Sequence, residues 1–141
     1  MKYTQKIFIT LFILSFVIFT IVSCNKETAT TQTELMNSML TNKNWYLDYS
    51  KTGTSTKSYV GQSTYFVTYL KDGTTRDSDG LSGTYEVEVV NNQSQIHVQV
   101  KTANGNELEV VYNIVSVGDK KLVLSKLVQS GTPTELYFTN K

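Results

Sequence analysis

At 141 residues the chain has room for one domain, and 40% apolar with 18% charged side chains describes a globular protein rather than a disordered one. The formal charge of +1 becomes −1 once Lys2 and Lys6 are set aside, leaving eleven basic against twelve acidic side chains; with no basic stripe, nucleic acid is not expected as a partner. A single cysteine excludes an internal disulfide, and one cysteine with one histidine excludes a Cys/His zinc cluster.

Met1–Lys6 carries two lysines, and residues 7–22 form an apolar run interrupted only by Thr10, Ser15 and Thr20. A charged start, an apolar stretch and a small residue before a cut describe a secretory leader. As a helix the run would reach about 24 Å, short of the roughly 30 Å hydrocarbon core of a bilayer. The four residues Ile21-Val22-Ser23-Cys24 resemble the lipobox of bacterial lipoproteins, with Ile21 at the aliphatic position and Ser23 as the small residue. The resemblance implies a signal peptide over 1–23 and a Cys24 that is acylated, with palmitate-type chains, and becomes the mature N-terminus. Two or three such chains give durable attachment where one does not. It also implies a lipid-anchored place in the bacterial cell envelope, at the outer membrane, with the periplasmic or surface side left open. The competing reading is an uncleaved signal anchor with a free Cys24 at its outer end. Residues 24–33 then form the anchor and a polar tether, whose nine residues after the cysteine span at most about 30 Å.

Folded structure is expected over 34–141. Thr31 and Glu34 fit a capping box, and Leu35, Met36, Met39 and Leu40 share one side of a short helix ending near residue 40. From Asn44 the period changes to two: Tyr85, Val87 and Val89 alternate with Thr84, Glu86 and Glu88, and Ile96, Val98 and Val100 with Gln95, His97 and Gln99. Strands are expected near 44–51, 57–61, 63–71, 82–91, 94–102, 106–117, 120–129 and 134–140. Asp72-Gly73, Asn91-Asn92, Asn104-Gly105 and Gly118-Asp119 separate them with few residues to spare, so the connections are tight hairpins and the strands antiparallel. The fold class is therefore all-β: an antiparallel up-and-down meander of seven or eight strands, preceded by a short N-terminal helix, and closed into a small barrel because closure removes exposed edges.

The segments "LTNKNWYLDYS" (Leu40–Ser50), "YFVTYLKDGT" (Tyr65–Thr74), "LSGTYEV" (Leu81–Val87), "KKLVLSKL" (Lys120–Leu127) and "ELYFTNK" (Glu135–Lys141) resemble the successive signatures of small lipocalin-like lipoprotein domains. Lys43 stands where lipocalins usually carry glycine two residues before the tryptophan, here Trp45. The resemblance implies a lipocalin-like barrel, with the helix closing one end, that binds a small hydrophobic or amphipathic ligand.

By alternation Trp45, Leu47 and Tyr49 share a face with Tyr65, Val67, Tyr69, Tyr85, Tyr112 and Phe138. Trp45, Tyr49, Tyr65, Tyr69, Tyr85, Tyr112 and Phe138 are therefore the candidate ligand-binding residues, each phenol offering apolar area and one hydrogen bond. The same side chains would also suit a filled core. Enzymatic activity and cofactors are not expected: His97 alternates away from Ile96 and Val98 toward solvent, and no nucleophile elbow, phosphate-cradling loop or second thiol accompanies it. Thr75, Asp77, Asp79, Gly80 and Glu86 match calcium-loop positions one, three, five, six and twelve, but threonine at position one and flanking strands favour a plain acidic turn, and no metal is assigned. The late strands are apolar on both faces, with Val111, Val115, Val117, Val123, Leu127 and Tyr137 opposite Val110, Tyr112, Leu122 and Leu124. Either the helix covers the second face, or it forms a patch for an envelope protein partner. The alternative function is accordingly a non-enzymatic interaction module, such as an inhibitor, an immunity-type protector or an assembly subunit.

Replacing Cys24 by alanine is expected to abolish incorporation of a fatty-acid analogue and to leave the precursor uncleaved or released. Unchanged labelling would remove the lipid anchor from this account.

Overall fold

The computed structural model describes residues 30–61, 65–102 and 105–141. The expected signal peptide over 1–23, Cys24 and residues 25–29 of the expected tether lie outside them. Residues 30–40 are helical (α1), so Thr31 sits within the helix rather than at its cap. The unit Thr33–Lys141 then consists of the rest of α1 and nine strands. These are β1 (Asn44–Thr52), β2 (Ser55–Ser58), β3 (Phe66–Tyr69), β4 (Thr74–Asp77), β5 (Ser82–Val90), β6 (Gln93–Lys101), β7 (Glu107–Val117), β8 (Lys121–Lys126) and β9 (Thr134–Asn140).

Every named pairing is antiparallel, and β9 returns to β1, closing an eight-stranded barrel in the order β1-β3-β4-β5-β6-β7-β8-β9. The extra strand, β2, shares an edge of β1 with β3: Tyr49–Thr52 pair with β2, whereas Asn44–Tyr46 pair with β3. Closure leaves the ladder of β1 satisfied on both sides, which is what an up-and-down sheet of this size needs to avoid a free edge.

The short connections fall at one end of the barrel. Asn91 and Asn92 both have positive φ, at 50° and 63°, the geometry of a type I′ hairpin, and asparagine tolerates it better than most side chains. Gly73, at φ 82°, completes the β3–β4 turn, where the Asp72 carboxylate accepts from the Thr74 backbone N–H and hydroxyl. The other connections, between β1 and β3, β4 and β5, β6 and β7, and β8 and β9, lead to the other end, the mouth.

The short-loop end is plugged. Leu40 and Trp45 are fully buried, and the Trp45 indole N–H donates to the Leu40 carbonyl at 2.9 Å, satisfying one of the acceptors that a helix C-terminus leaves open. Asn42 follows in the left-handed region at φ 60°, its N–H donating to the Tyr69 carbonyl. Leu40, Trp45, Tyr69, Tyr85, Val87, Ile96, Leu122, Leu124 and Phe138 form one core cluster, against which Met36 of α1 packs.

Four features bear on the sequence expectation. The segment expected to be a loop before β5 contains β4, whose single apolar signal is absent because Thr75 fills the inward position, buried at 4% exposure with its hydroxyl donating to the Thr68 carbonyl. In β1 the register shifts between Leu47 and Tyr49: Leu47 faces Phe138 across the ladder, but Tyr49 faces Tyr137, so a bulge reverses the alternation and puts Tyr49 outside. A second bulge in β7, between Ile114 and Ser116, turns Val117 inward to pair with Leu122 and leaves Val115 55% exposed. Of the two alternatives for the late strands' outer face, cover by the helix is not what Met36 and Leu40 supply, since both turn into the core while Leu35 stays exposed.

Substituting Trp45 by phenylalanine keeps a ring in place but strands the buried Leu40 carbonyl. The urea midpoint is expected to fall by the equivalent of about 2 kcal/mol, within the range for leaving a buried polar group unpaired. A change below about 0.5 kcal/mol, the scale of a neutral surface substitution, would mean that the plug does not depend on this bond.

Candidate functional site

Pairing across the barrel determines what faces the interior. Trp45 and Leu47 in β1 point inward, and so therefore do Val67 and Tyr69 in β3, then Asp77 and Thr75 opposite them in β4. Val98 and Val100 in β6 lie opposite Val110 and Leu108 in β7, while Leu124 in β8 lies opposite Leu136 in β9. Beyond the plug these side chains do not fill the barrel. A cavity of about 240 Å³ remains, lined by Leu47, Val67, Val98, Val100, Val110, Leu124, Leu136 and Phe138 along its walls, and by Tyr65, Tyr69, Tyr112, Thr75, Arg76 and Asp77 as its polar members. Leu81 and Leu108, 43% and 52% exposed, stand at its mouth. Two larger hollows, about 440 Å³ beside Arg76, Gln99 and Glu107 and about 490 Å³ beside Glu34, Lys71 and Glu86, are bordered by exposed side chains on the surface. The interior cavity alone is walled by the closed sheet, and it is the better ligand site on that ground.

Four of the seven expected ligand-binding residues meet around this cavity: Tyr65, Tyr69, Tyr112 and Phe138. Trp45 and Tyr85 belong to the plug instead. Tyr85 packs edge-on against Tyr69, with ring centroids 4.9 Å apart, and its hydroxyl donates to the Leu70 carbonyl at 2.9 Å. Tyr49 lies on the outer surface, stacked on Tyr137 at 4.2 Å, because of the β1 bulge. Cys24, expected to carry the lipid, is outside the described residues.

Asp77 is the site residue that sequence reading did not find. Its Oδ1 accepts from the backbone N–H groups of Asp79 and Leu81, at 3.0 and 2.9 Å, so the carboxylate terminates β4 and organises the following turn. Its Oδ2 faces the Tyr65 hydroxyl at 3.4 Å. An aspartate in an Asp-Ser-Asp-Gly run reads as a turn former, and only the register with Val67 reveals that it also faces the interior. Glu86, the twelfth position of the calcium-loop spacing, is on the outward face of β5 opposite His97, so it and Asp77 cannot converge on one ion. Among the described residues no three His, Cys, Asp or Glu side chains form a metal-holding group.

The interior phenols resist ionisation. Burial is the main reason that Tyr65 and Tyr69 titrate far above the ordinary tyrosine range; the Asp77 carboxylate adds to the effect at Tyr65, and neighbouring Tyr112 and Tyr65 add to it at Tyr69. Burial alone pushes Tyr112 up. At neutral pH the cavity therefore offers neutral hydroxyls, which both donate and accept. His97 sits elsewhere, on the outer face of β6, with Nδ1 3.2 Å from Glu109 and Nε2 3.9 Å from Glu88.

Below pH 10 these phenols are protonated in both the folded and the unfolded chain. Above the ordinary value near 10 the unfolded chain gives up protons that Tyr65, Tyr69 and Tyr112 retain, so stability is expected to fall as pH rises. Ultraviolet titration should show exposed tyrosines ionising first and the buried set only together with unfolding. One smooth transition near pH 10 with the fold intact would contradict this placement.

No family model, curated protein or solved structure gives a significant match to the chain.

Proposed function

We propose that this chain is a lipid-anchored envelope lipoprotein whose lipocalin-like barrel binds one small hydrophobic or amphipathic ligand, without catalysing a reaction. The observation that carries the binding part is the cavity of about 240 Å³ inside the closed sheet, apolar along most of its walls and polar toward Asp77, Arg76, Thr75 and three phenols. Fully packed interiors leave few voids larger than a water molecule. A cavity of about 150 Å³ accepts benzene, so the space suits a single ring with a short tail, or an acyl chain of similar bulk, and excludes large polycyclic ligands. Apolar walls supply most of the affinity of such a site, and a few placed polar groups give orientation. The exposed Leu81 and Leu108 at the mouth suit the entry of an apolar molecule.

The anchoring part rests on the leader and on Ile21–Cys24 alone. It assigns the cell envelope, and the outer membrane in particular, as the place where ligand is met.

Native mass spectrometry of residues 25–141, followed by solvent extraction, is expected to find a small molecule bound one to one. Val98→Phe, which projects a ring into the cavity, is expected to abolish that species with the barrel still folded by circular dichroism. Bound molecule retained in Val98→Phe would place it elsewhere, and an empty wild-type barrel that also takes up no added single-ring compound would end the binding reading. The outer surface motivates a second reading, an interaction module, because Val115 at the β7 bulge and Leu127 beyond β8 are 55% and 45% exposed.

A further inference from the structure

We propose that the barrel selects ligands carrying a protonated amine, bound with the ammonium group against the Asp77 carboxylate and the phenols of Tyr65, Tyr69 and Tyr112. This rests on the cavity being the binding site and names the chemistry of the end group it takes.

The argument begins with where Asp77 lies. In β4 the residue opposite it is Val67, which faces the barrel interior, so a carboxylate stands on the cavity side among mostly apolar walls. Asp77 is half-buried, and a charge withdrawn from water gains from a counter-charge. No ion pair of Asp77 with a lysine, arginine or histidine occurs among the described residues. Arg76, the nearest cation in sequence, also borders the cavity, but it is exposed, stands opposite Thr68 and alternates to the outer side of β4, so it makes no ion pair with Asp77. Backbone amides hold Oδ1, and the contact at Oδ2 is the Tyr65 hydroxyl, at 3.4 Å, beyond the usual hydrogen-bond range of 2.5–3.0 Å between oxygens. Oδ2 therefore retains acceptor capacity on the cavity side.

Asp77 and the phenols fit a cation better than an anion. Aromatic faces attract ammonium groups through the ring quadrupole, the more so where water is excluded. The phenol oxygens of Tyr65, Tyr69 and Tyr112 can accept from an N–H, and burial keeps them neutral rather than repulsive to a neighbour's charge. A carboxylate-ended ligand, such as a fatty acid, would meet Asp77 as a like charge in a low-dielectric space. The preference follows from one inward side chain, and the remaining walls would accept the hydrocarbon part of either kind of molecule.

Isothermal titration of the purified barrel with 2-phenylethylamine, ethylbenzene and 3-phenylpropanoate tests the assignment, because the three share a ring and differ in the end group. The amine is expected to bind about tenfold more tightly than the neutral compound, the scale of one charge-assisted hydrogen bond, and the carboxylate more weakly than both. Asp77→Asn retains an oxygen acceptor for the Asp79 and Leu81 amides, so the turn is expected to survive, and it should erase the preference for the amine over ethylbenzene. Equal binding of all three, or a preference for the carboxylate, would overturn the amine assignment and leave the cavity as a general apolar site. Binding of none of them would remove the cavity reading beneath it.

Discussion

The hydrogen bond from the Trp45 indole to the Leu40 carbonyl joins the last turn of α1 to the first strand of the barrel, and both residues are fully buried. A helix C-terminus cannot be buried with its carbonyls unpaired, so an apolar plug made from a helix needs a donor from the barrel itself. Tryptophan supplies that donor together with the largest apolar surface of any side chain. Asn42, in the left-handed region, then turns the chain so that its N–H meets the Tyr69 carbonyl and β1 can begin two residues later. With one end sealed in this way, empty space can persist only toward the other. The division of the barrel into plug and cavity thus follows from how the chain enters it.

The hairpins were readable because their chemistry is local. Asn91-Asn92 demands positive φ at both positions, and the strands on either side alternate cleanly over nine residues each. Antiparallel order and closure follow from connections too short for crossovers. What the sequence concealed lies where a local cue and a tertiary one disagree. Thr74-Thr75-Arg76-Asp77 shows no apolar alternation, because its inward positions are a threonine satisfied by the Thr68 carbonyl and an aspartate satisfied by its own turn. The bulge beyond Leu47 leaves no mark in "YLDYS", yet one extra residue sends Tyr49 to the outside. Of the site, the phenols at 65, 69 and 112 could be read by counting twos, since no bulge separates them from their neighbours' register. Asp77 could not, because its face depends on a strand that had to be seen first.

Asp77 joins two roles that are usually held by different residues. The same carboxylate ends β4, through amides two and four residues on, and gives the barrel its inward charge. A turn-forming aspartate normally looks outward to water. Here Leu81 follows the turn and sits at the mouth, so the organising of that turn and the shape of the entrance are determined together. Gly83, two residues further, lies opposite Val100, where a β-carbon would overlap the Gln99 carbonyl, so the sheet beside the entrance is also drawn close by a missing side chain.

Trp45 is the only tryptophan in the chain, and it sits in the plug rather than in the lining of the cavity. The protein therefore carries two separate optical reporters. Indole emission senses the sealed end and changes when the helix parts from β1, whereas the phenols of Tyr65, Tyr69 and Tyr112 sense the contents of the barrel. Energy passed from those phenols to the single indole links the two signals, so a quenched or shifted tyrosine contribution with constant tryptophan emission distinguishes occupancy of the barrel from its unfolding without any added dye.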